Sequence, residues 1–173
     1  MPSSTEKVLP ADLITHLNEA LLDISTHPYP FVPSPPGVPK RASVALIIRI
    51  QPHYGHWPPQ RGEESGLNEQ SQSISTEDRV NSFFRQDWVQ HGDPEILFIK
   101  RATRKADKWN GHIALPGGRR DPEDADDRAA AVREAWEEVG IDLSDQQAIA
   151  IGNLPQLVVT SGWGKIAYGE GCP

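Results

Sequence analysis

From Gly117 to Ile141 the chain reads GGRRDPEDADDRAAAVREAWEEVGI, and this stretch constrains the fold more than any other. Paired glycines permit a turn with unusual backbone angles and a close approach of backbone to a ligand. The residues that follow predict a helix over Asp124 to Val139. Asp124, Asp126 and Asp127 stand where helix caps and the macrodipole favour acids. Gly140 is placed for a left-handed C-cap, with apolar Ile141 after it. At 3.6 residues per turn, Ala129, Val132, Trp136 and Val139 gather on one side, and Glu134, Glu137 and Glu138 on the other. The spacing therefore predicts a core face that buries Trp136 and an opposite face that presents the glutamates together.

Carboxylates in the last turns of a helix oppose its macrodipole, at a cost of about 0.3–1 kcal/mol per charge. Like charges at i,i+4 add a few tenths of a kcal/mol more. A divalent cation reverses that cost, and hard cations such as Mg²⁺ prefer carboxylate oxygen. The plainer alternative is a solvated charged face with Arg133 as partial counterion. Arg119 and Arg120 beside the glycines suit phosphate oxygens, with surface charge as the competing account. Together the glycine turn, the arginines and the glutamates make a coherent site for a diphosphate with its cation.

These residues resemble the Nudix box, a glycine followed at fixed spacing by Arg-Glu-apolar-any-Glu-Glu-any-Gly-apolar. Arg133, Glu134, Ala135, Trp136, Glu137, Glu138, Val139, Gly140 and Ile141 match its second half at every position. The first half departs, because the gap from Gly118 to Arg133 is one residue longer than usual. Asp124, with Glu123 beside it, stands near the family's first glutamate. The expanded run Pro116-Gly117-Gly118-Arg119-Arg120-Asp121-Pro122-Glu123-Asp124 is similar to that of the coenzyme A diphosphatase branch. Upstream, Lys100-Arg101-Ala102 and Gly111 fit that branch, whereas Leu115 stands where it tends to have Phe and Asp107 where it has a basic residue.

The resemblance implies an α/β fold, an α/β/α sandwich with a mixed sheet. It implies metal-assisted attack of water on a diphosphate, a phosphoanhydride hydrolysis using Mg²⁺ or Mn²⁺. It carries over Glu134, Glu137 and Glu138 as metal ligands, with the Gly118 carbonyl as a further one. Glu134 or Glu137 could serve as the base, and Arg133 would orient the glutamates. Arg119 and Arg120 are the expected phosphate contacts. Trp109 and Trp163 could stack on a nucleobase, although packing or loop cover is the preferred reading.

Outside the box, Ala11 to Ile24 reads as an amphipathic helix with Leu13, Leu17, Leu21 and Ile24 on one stripe, docking on the domain. His27 to Lys40 is proline-rich and expected to be extended. Ala42 to Ile50 reads as a strand apolar enough to be covered on both faces. Pro52 to Ser73 reads as a long loop or disordered insertion. Its His53 and His56 have no further metal ligand nearby in sequence, so solvated loop residues are expected there. Ser75 to Gln90 reads as a helix with a capping box from Ser75 and Asp78 and a stripe of Val80, Phe84 and Trp88. Strands are expected at Glu95 to Lys100, His112 to Leu115, Ala148 to Ile151 and Leu157 to Thr160. The resulting division is an N-terminal segment, 1–41, and a Nudix-like domain, 42–173, with its insertion at about 52–74.

The tail from Ser161 to Gly171 is glycine-rich and a poor strand or helix former, so the sheet is expected to be incomplete at the C-terminus. An unpaired edge there would weaken both stability and activity. A net charge of -7 argues against holding nucleic acid by general electrostatics, yet not against a small anionic substrate met through a cation. The single cysteine, Cys172, excludes an intramolecular disulfide and fits a reducing compartment. No apolar run reaches membrane-spanning length. Met1 to Leu9 lacks signal- or transit-peptide character, and the final Gly171-Cys172-Pro173 is no peroxisomal address. A soluble intracellular protein is expected, cytoplasmic by default with an organelle open. Two functions compete: a diphosphatase for coenzyme A or a related nucleoside diphosphate derivative, and a catalytically silent truncated fragment that binds metal, ligand or a partner. A purely structural acidic helix ranks behind both.

Overall fold

The structure, a computed structural model, describes residues 12–35, 40–58, 74–102, 111–145 and 147–158. It is α/β: four helices and six short strands among the described residues. They are α1 (Leu13–Thr26), β1 (Ala42–Val44), β2 (Ile48–Gln51), α2 (Thr76–Phe84), α3 (Asp87–Gln90), β3 (Asp93–Ile96), β4 (Ile99–Lys100), β5 (Ile113–Ala114), β6 (Gly117–Arg119) and α4 (Asp127–Val139). The strands pair two by two, β1 with β6, β2 with β3 and β4 with β5. The first and last of these pairs are antiparallel. The chain forms two compact units, described separately below.

One unit comprises Met1–Pro28, Ile50–Glu95 and Ile151–Asn153. In it α1 packs against α2, as an amphipathic helix in need of a partner should. Its core holds Ile14, Ile50, Val80, Phe84 and Val89. Ser75 caps α2 as expected: Asp78 N donates to Ser75 Oγ at 3.0 Å, and the Asp78 side chain returns to the Ser75 hydroxyl, accepting from Oγ at 2.7 Å, and not to its backbone amide. The expected single helix is nevertheless two, α2 and α3, broken at Arg85 and Gln86. The break shifts the phase of the stripe, so Val89 is buried where Trp88 was expected. Of the expected insertion, 52–58 forms neither helix nor strand, and 59–73 lies outside the described residues.

The other unit comprises Tyr29–Arg49, Ile96–Ala150 and Leu154–Pro173. The single strand expected over Ala42 to Ile50 changes partner part-way, and this divides it into β1 and β2. β1 lies on β6 in the register Ala42 to Arg119, Ser43 to Gly118 and Val44 to Gly117. Ala45 N continues the ladder to Pro116 O at 2.8 Å. At the other end Leu97 N donates to Ile47 O at 3.0 Å. Cover on both faces is not found: Val44 and Leu46 are 44% and 42% exposed, because short ladders leave one face open. Ala148 to Ile151 forms no strand, nor do Leu157 and Val158, and Val159 and Thr160 lie outside the described residues.

α4 packs on both β1 and β6. It begins at Asp127, three residues after the expected start, because Asp126 is the residue that caps it, accepting from Ala129 N at 2.7 Å. Asp124 belongs instead to the preceding turn, where it accepts from Asp121 N at 2.8 Å. The helix ends as expected on Gly140 in the left-handed region, φ 69, with Gly140 N donating to Trp136 O at 2.9 Å. The expected core face is overturned. Trp136 is 61% exposed, and the fully buried residues of α4 are Ala130 and Ala135. The reason is a close approach of the helix to a glycine strand, which small residues permit and an indole does not.

Candidate active site

With Ala130 and Ala135 flanking the contact, the helical repeat turns Glu134 and Glu138 towards β6 and Trp136 to the far side. Glu134 and Glu138 are thus not opposite the packed face but at its edge on β6, while Glu137 stays open to solvent. A Cβ at Gly118 would overlap the carboxylate of Glu134. Gly117 N donates to Glu138 Oε2 at 2.8 Å. Adjacent glycines therefore receive two carboxylates one helical turn apart, and only residues without side chains leave the room. The Glu134 side chain is 17% exposed and that of Glu137 55%, so the group includes a sheltered and an open carboxylate. This cradle of carboxylate oxygen and glycine backbone is the donor set that a hard divalent cation takes.

Arg133 ties the group together. It donates from Nε to Asp124 Oδ1 at 3.2 Å and from Nη2 to Asp124 Oδ2 at 3.0 Å, a bidentate fork. Nη1 donates to Glu134 Oε1 at 3.0 Å and to Glu137 Oε2 at 3.4 Å, and Nη2 to Arg119 O at 3.0 Å. Asp124 and Glu134 raise the affinity of this guanidinium for its proton, Asp124 first through its hydrogen bond. Reciprocally, Arg133 and then the Asp121 amide hold the Asp124 carboxyl below the usual carboxylate range. Asp124, 7% exposed, anchors the arginine from outside the helix.

The sign of this linkage fixes a pH dependence. A carboxyl whose folded pKa is depressed adds stability above its unfolded pKa, near 3.9, and loses it as pH falls through the folded value. Asp124→Asn should therefore lower the melting temperature by a constant amount from neutral pH to about pH 4. Below that the gap to the parent should close, a trend that thermal melts across an acid series will measure. A gap that stays constant through the acid range would contradict the ion pair.

The two candidate phosphate-binding arginines fall in different places. Arg119 is exposed on β6. Arg120 points to the start of α4, donating from Nη2 to Ala125 O at 2.8 Å and to Asp124 O at 3.2 Å, and lying 3.5 Å from Asp127 Oδ1. Asp127 is shared with Arg41, whose Nη2 lies 2.6 Å from Asp127 Oδ2. Arg41 also donates to Val32 O at 2.8 Å and sits 4.6 Å over the Phe31 ring. A cleft of about 310 Å³ opens beside this cluster, lined by Arg41, Arg120, Asp121, Pro122 and Asp124. Arg41 was missed in sequence because the only signal was a basic residue at the start of an apolar run. Trp109 and Trp163 lie outside the described residues.

A glycine strand that receives the carboxylates of an adjoining helix, locked by one arginine, defines an α/β domain with an acidic centre. In comparison with known proteins, the NUDIX domain model matches residues 84–155. Over these residues the chain is similar to the Nudix hydrolase family. It is 37% identical over 132 residues to an uncharacterized protein of Schizosaccharomyces pombe, covering 76% of this chain and 33% of that one. It is 61% identical over 46 residues to the peroxisomal coenzyme A diphosphatase NUDT7 of Mus musculus, 27% of this chain and 19% of that one. It is 41% identical over 62 residues to the peroxisomal coenzyme A diphosphatase ndx-8 of Caenorhabditis elegans, 35% and 26% of the respective chains. The chain thus spans a third or less of the length of these relatives. No solved structure matches it significantly. Among the described residues, no helix is long and apolar enough to cross a membrane.

Proposed function

We propose that the chain carries the catalytic box of a diphosphatase acting on coenzyme A or a related nucleoside diphosphate derivative. The observation that carries this reading is the seating of Glu134 against Gly118 and of Glu138 on the Gly117 amide. Mg²⁺ or Mn²⁺ held by Glu134, Glu137 and Glu138, with the Gly118 carbonyl, would supply neutralisation of phosphate oxygens and acidification of water. The remaining tasks fall to the chain itself. Arg133 fixes Glu134 and Glu137 relative to β6, since one guanidinium bonds both of them and the Arg119 carbonyl. Glu134 or Glu137 takes the proton of the attacking water. Arg119 offers its guanidinium to a phosphate, whereas Arg120 acts mainly by holding the carbonyls before α4. The choice of coenzyme A rests on the expanded Pro116 to Asp124 run and on relatives named coenzyme A diphosphatases.

The test is a panel of coenzyme A, an acyl-coenzyme A and several nucleoside diphosphate sugars, offered to the purified chain with Mg²⁺ or Mn²⁺. Hydrolysis of the coenzyme A compounds at the diphosphate, abolished by chelator, is the expected result. Preference for another diphosphate would overturn the substrate and keep the reaction. Mn²⁺ binding without turnover of any compound would establish the silent fragment instead.

A further inference from the structure

The other unit brings together residues far apart in sequence that the diphosphatase reading does not use. Asp87 opens α3 and His91 caps its C-terminal end, one turn later, with His91 N donating to Asp87 O at 3.1 Å. His56 reaches the same point from the loop after β2. That loop is turned by His56 N donating to His53 O at 2.9 Å. It is pinned by His53 Nε2, 2.9 Å from Asp93 Oδ2. His56 Nδ1 then lies 2.7 Å from Asp87 Oδ2, and His91 Nδ1 lies 3.3 Å from Asp87 Oδ1. The imidazoles stack, with centroids 4.0 Å apart and planes 10° from parallel. Each of the three residues offers a ligand atom, and these atoms all lie within 4.8 Å of one another. His56 has no further ligands nearby in sequence, and tertiary structure supplies them.

We infer that His56, Asp87 and His91 form a second cation site, selective for Zn²⁺-class ions and separate from the glutamate helix. Two imidazole nitrogens and one carboxylate suit Zn²⁺, Co²⁺ or Ni²⁺ and fit Mg²⁺ poorly, since Mg²⁺ seeks oxygen ligands in an octahedron. A tetrahedral ion with bonds of about 2.1 Å has ligand atoms about 3.4 Å apart. The contacts between Asp87 and the imidazoles, 2.7 and 3.3 Å, lie at or below that edge, and the cluster's 4.8 Å limit lies above it. Small side-chain rotations therefore suffice to admit the ion. On binding an ion each histidine would release the proton that its Nδ1 shares with the Asp87 oxygens to solvent and present that lone pair, with the other proton on Nε2, so Nδ1–Asp87 contacts are exchanged for metal bonds. Three protein ligands leave a fourth position for water or an anion. All three side chains are between 37% and 72% exposed, so the ion has free access and their substitution leaves the core intact.

The experiment is calorimetric titration of the untagged full chain with Zn²⁺ in excess Mg²⁺, with Co²⁺ absorption as a second readout. The parent and Glu138→Gln should bind Zn²⁺ alike. His56→Asn and His91→Asn should each bind more than about 100-fold more weakly, a loss beyond that of removing an outer-shell partner. His91→Cys, which restores a ligand, should recover binding and red-shift the Co²⁺ spectrum. Circular dichroism confirms that each variant is folded, and imidazole NMR shifts of the parent on Zn²⁺ addition report the same ligands without substitution. Unchanged Zn²⁺ affinity in both histidine variants, or unmoved imidazole signals, would overturn the site. So would loss of Zn²⁺ binding in Glu138→Gln alone. None of these outcomes depends on diphosphate turnover.

Discussion

Gly118→Ala is expected to lower cation-dependent diphosphate hydrolysis by about 100-fold, the scale on which a misplacement of roughly 1 Å acts on catalysis. The new methyl group would occupy the place of the Glu134 carboxylate. That carboxylate is the free end of a flexible side chain, so it can rotate away and the fold should survive with little change in melting temperature. What is lost is its position beside the β6 backbone and its hydrogen bond to Arg133. Gly117→Ala makes the contrast. There the methyl would strike the Ser43 carbonyl and Val44 Cα, which are backbone of β1 and cannot turn aside. Gly117→Ala should therefore lower the melting temperature as well as activity. Steady-state kinetics beside thermal melts separate the two, and a fully active Gly118→Ala would show that Glu134 has no part in the reaction.

The second large effect is expected at Glu138. Glu138→Gln retains an oxygen that can accept from Gly117 N, so the contact between α4 and β6 stays formed. It removes one negative charge from the carboxylate group. Turnover at saturating substrate and fixed Mg²⁺ should fall by about 100-fold or more, comparable to removing a single strong electrostatic contact in a catalytic site. The melting temperature without cation should hold or rise, because like charges at i,i+4 with Glu134 no longer repel. The stabilisation that Mn²⁺ confers on the parent, about 2.7 kcal/mol at one hundred times its dissociation constant, should shrink in the variant. Turnover equal to the parent would remove Glu138 from the proposed ligand set.

These expectations differ from those of a solvated acidic face, and the difference comes from the direction of the glutamates. On a solvated face, Gly118→Ala would be silent, since nothing would lie over the strand. The packing of α4 on β6 makes the glycines and the glutamates one unit, and Arg133 extends it to Asp124 and the Arg119 carbonyl. The long gap between Gly118 and Arg133 contains the turn from Asp121 to Asp124, which presents Asp124 to the arginine.

The carboxylate pattern of the box and the Gly140 end of its helix were legible in the amino-acid order alone. Glutamates against a macrodipole, a glycine pair before them and Gly140 after them are local statements, legible because capping and backbone freedom act over a few residues. The cap at Ser75 was legible for the same reason. Tertiary structure decided what lies across from what. It turned Trp136 outward and set Glu134 and Glu138 against β6, because the partner of α4 is a strand whose glycines leave space for carboxylates. It divided the apolar run from Ala42 to Ile50 between two partner strands, a choice that depends on residues far along the chain. It brought Arg41 to Asp127, and His56 to Asp87 and His91, across separations that no periodicity encodes. The reason is general: helix caps depend on neighbours in sequence, whereas a face is buried or open according to what packs on it.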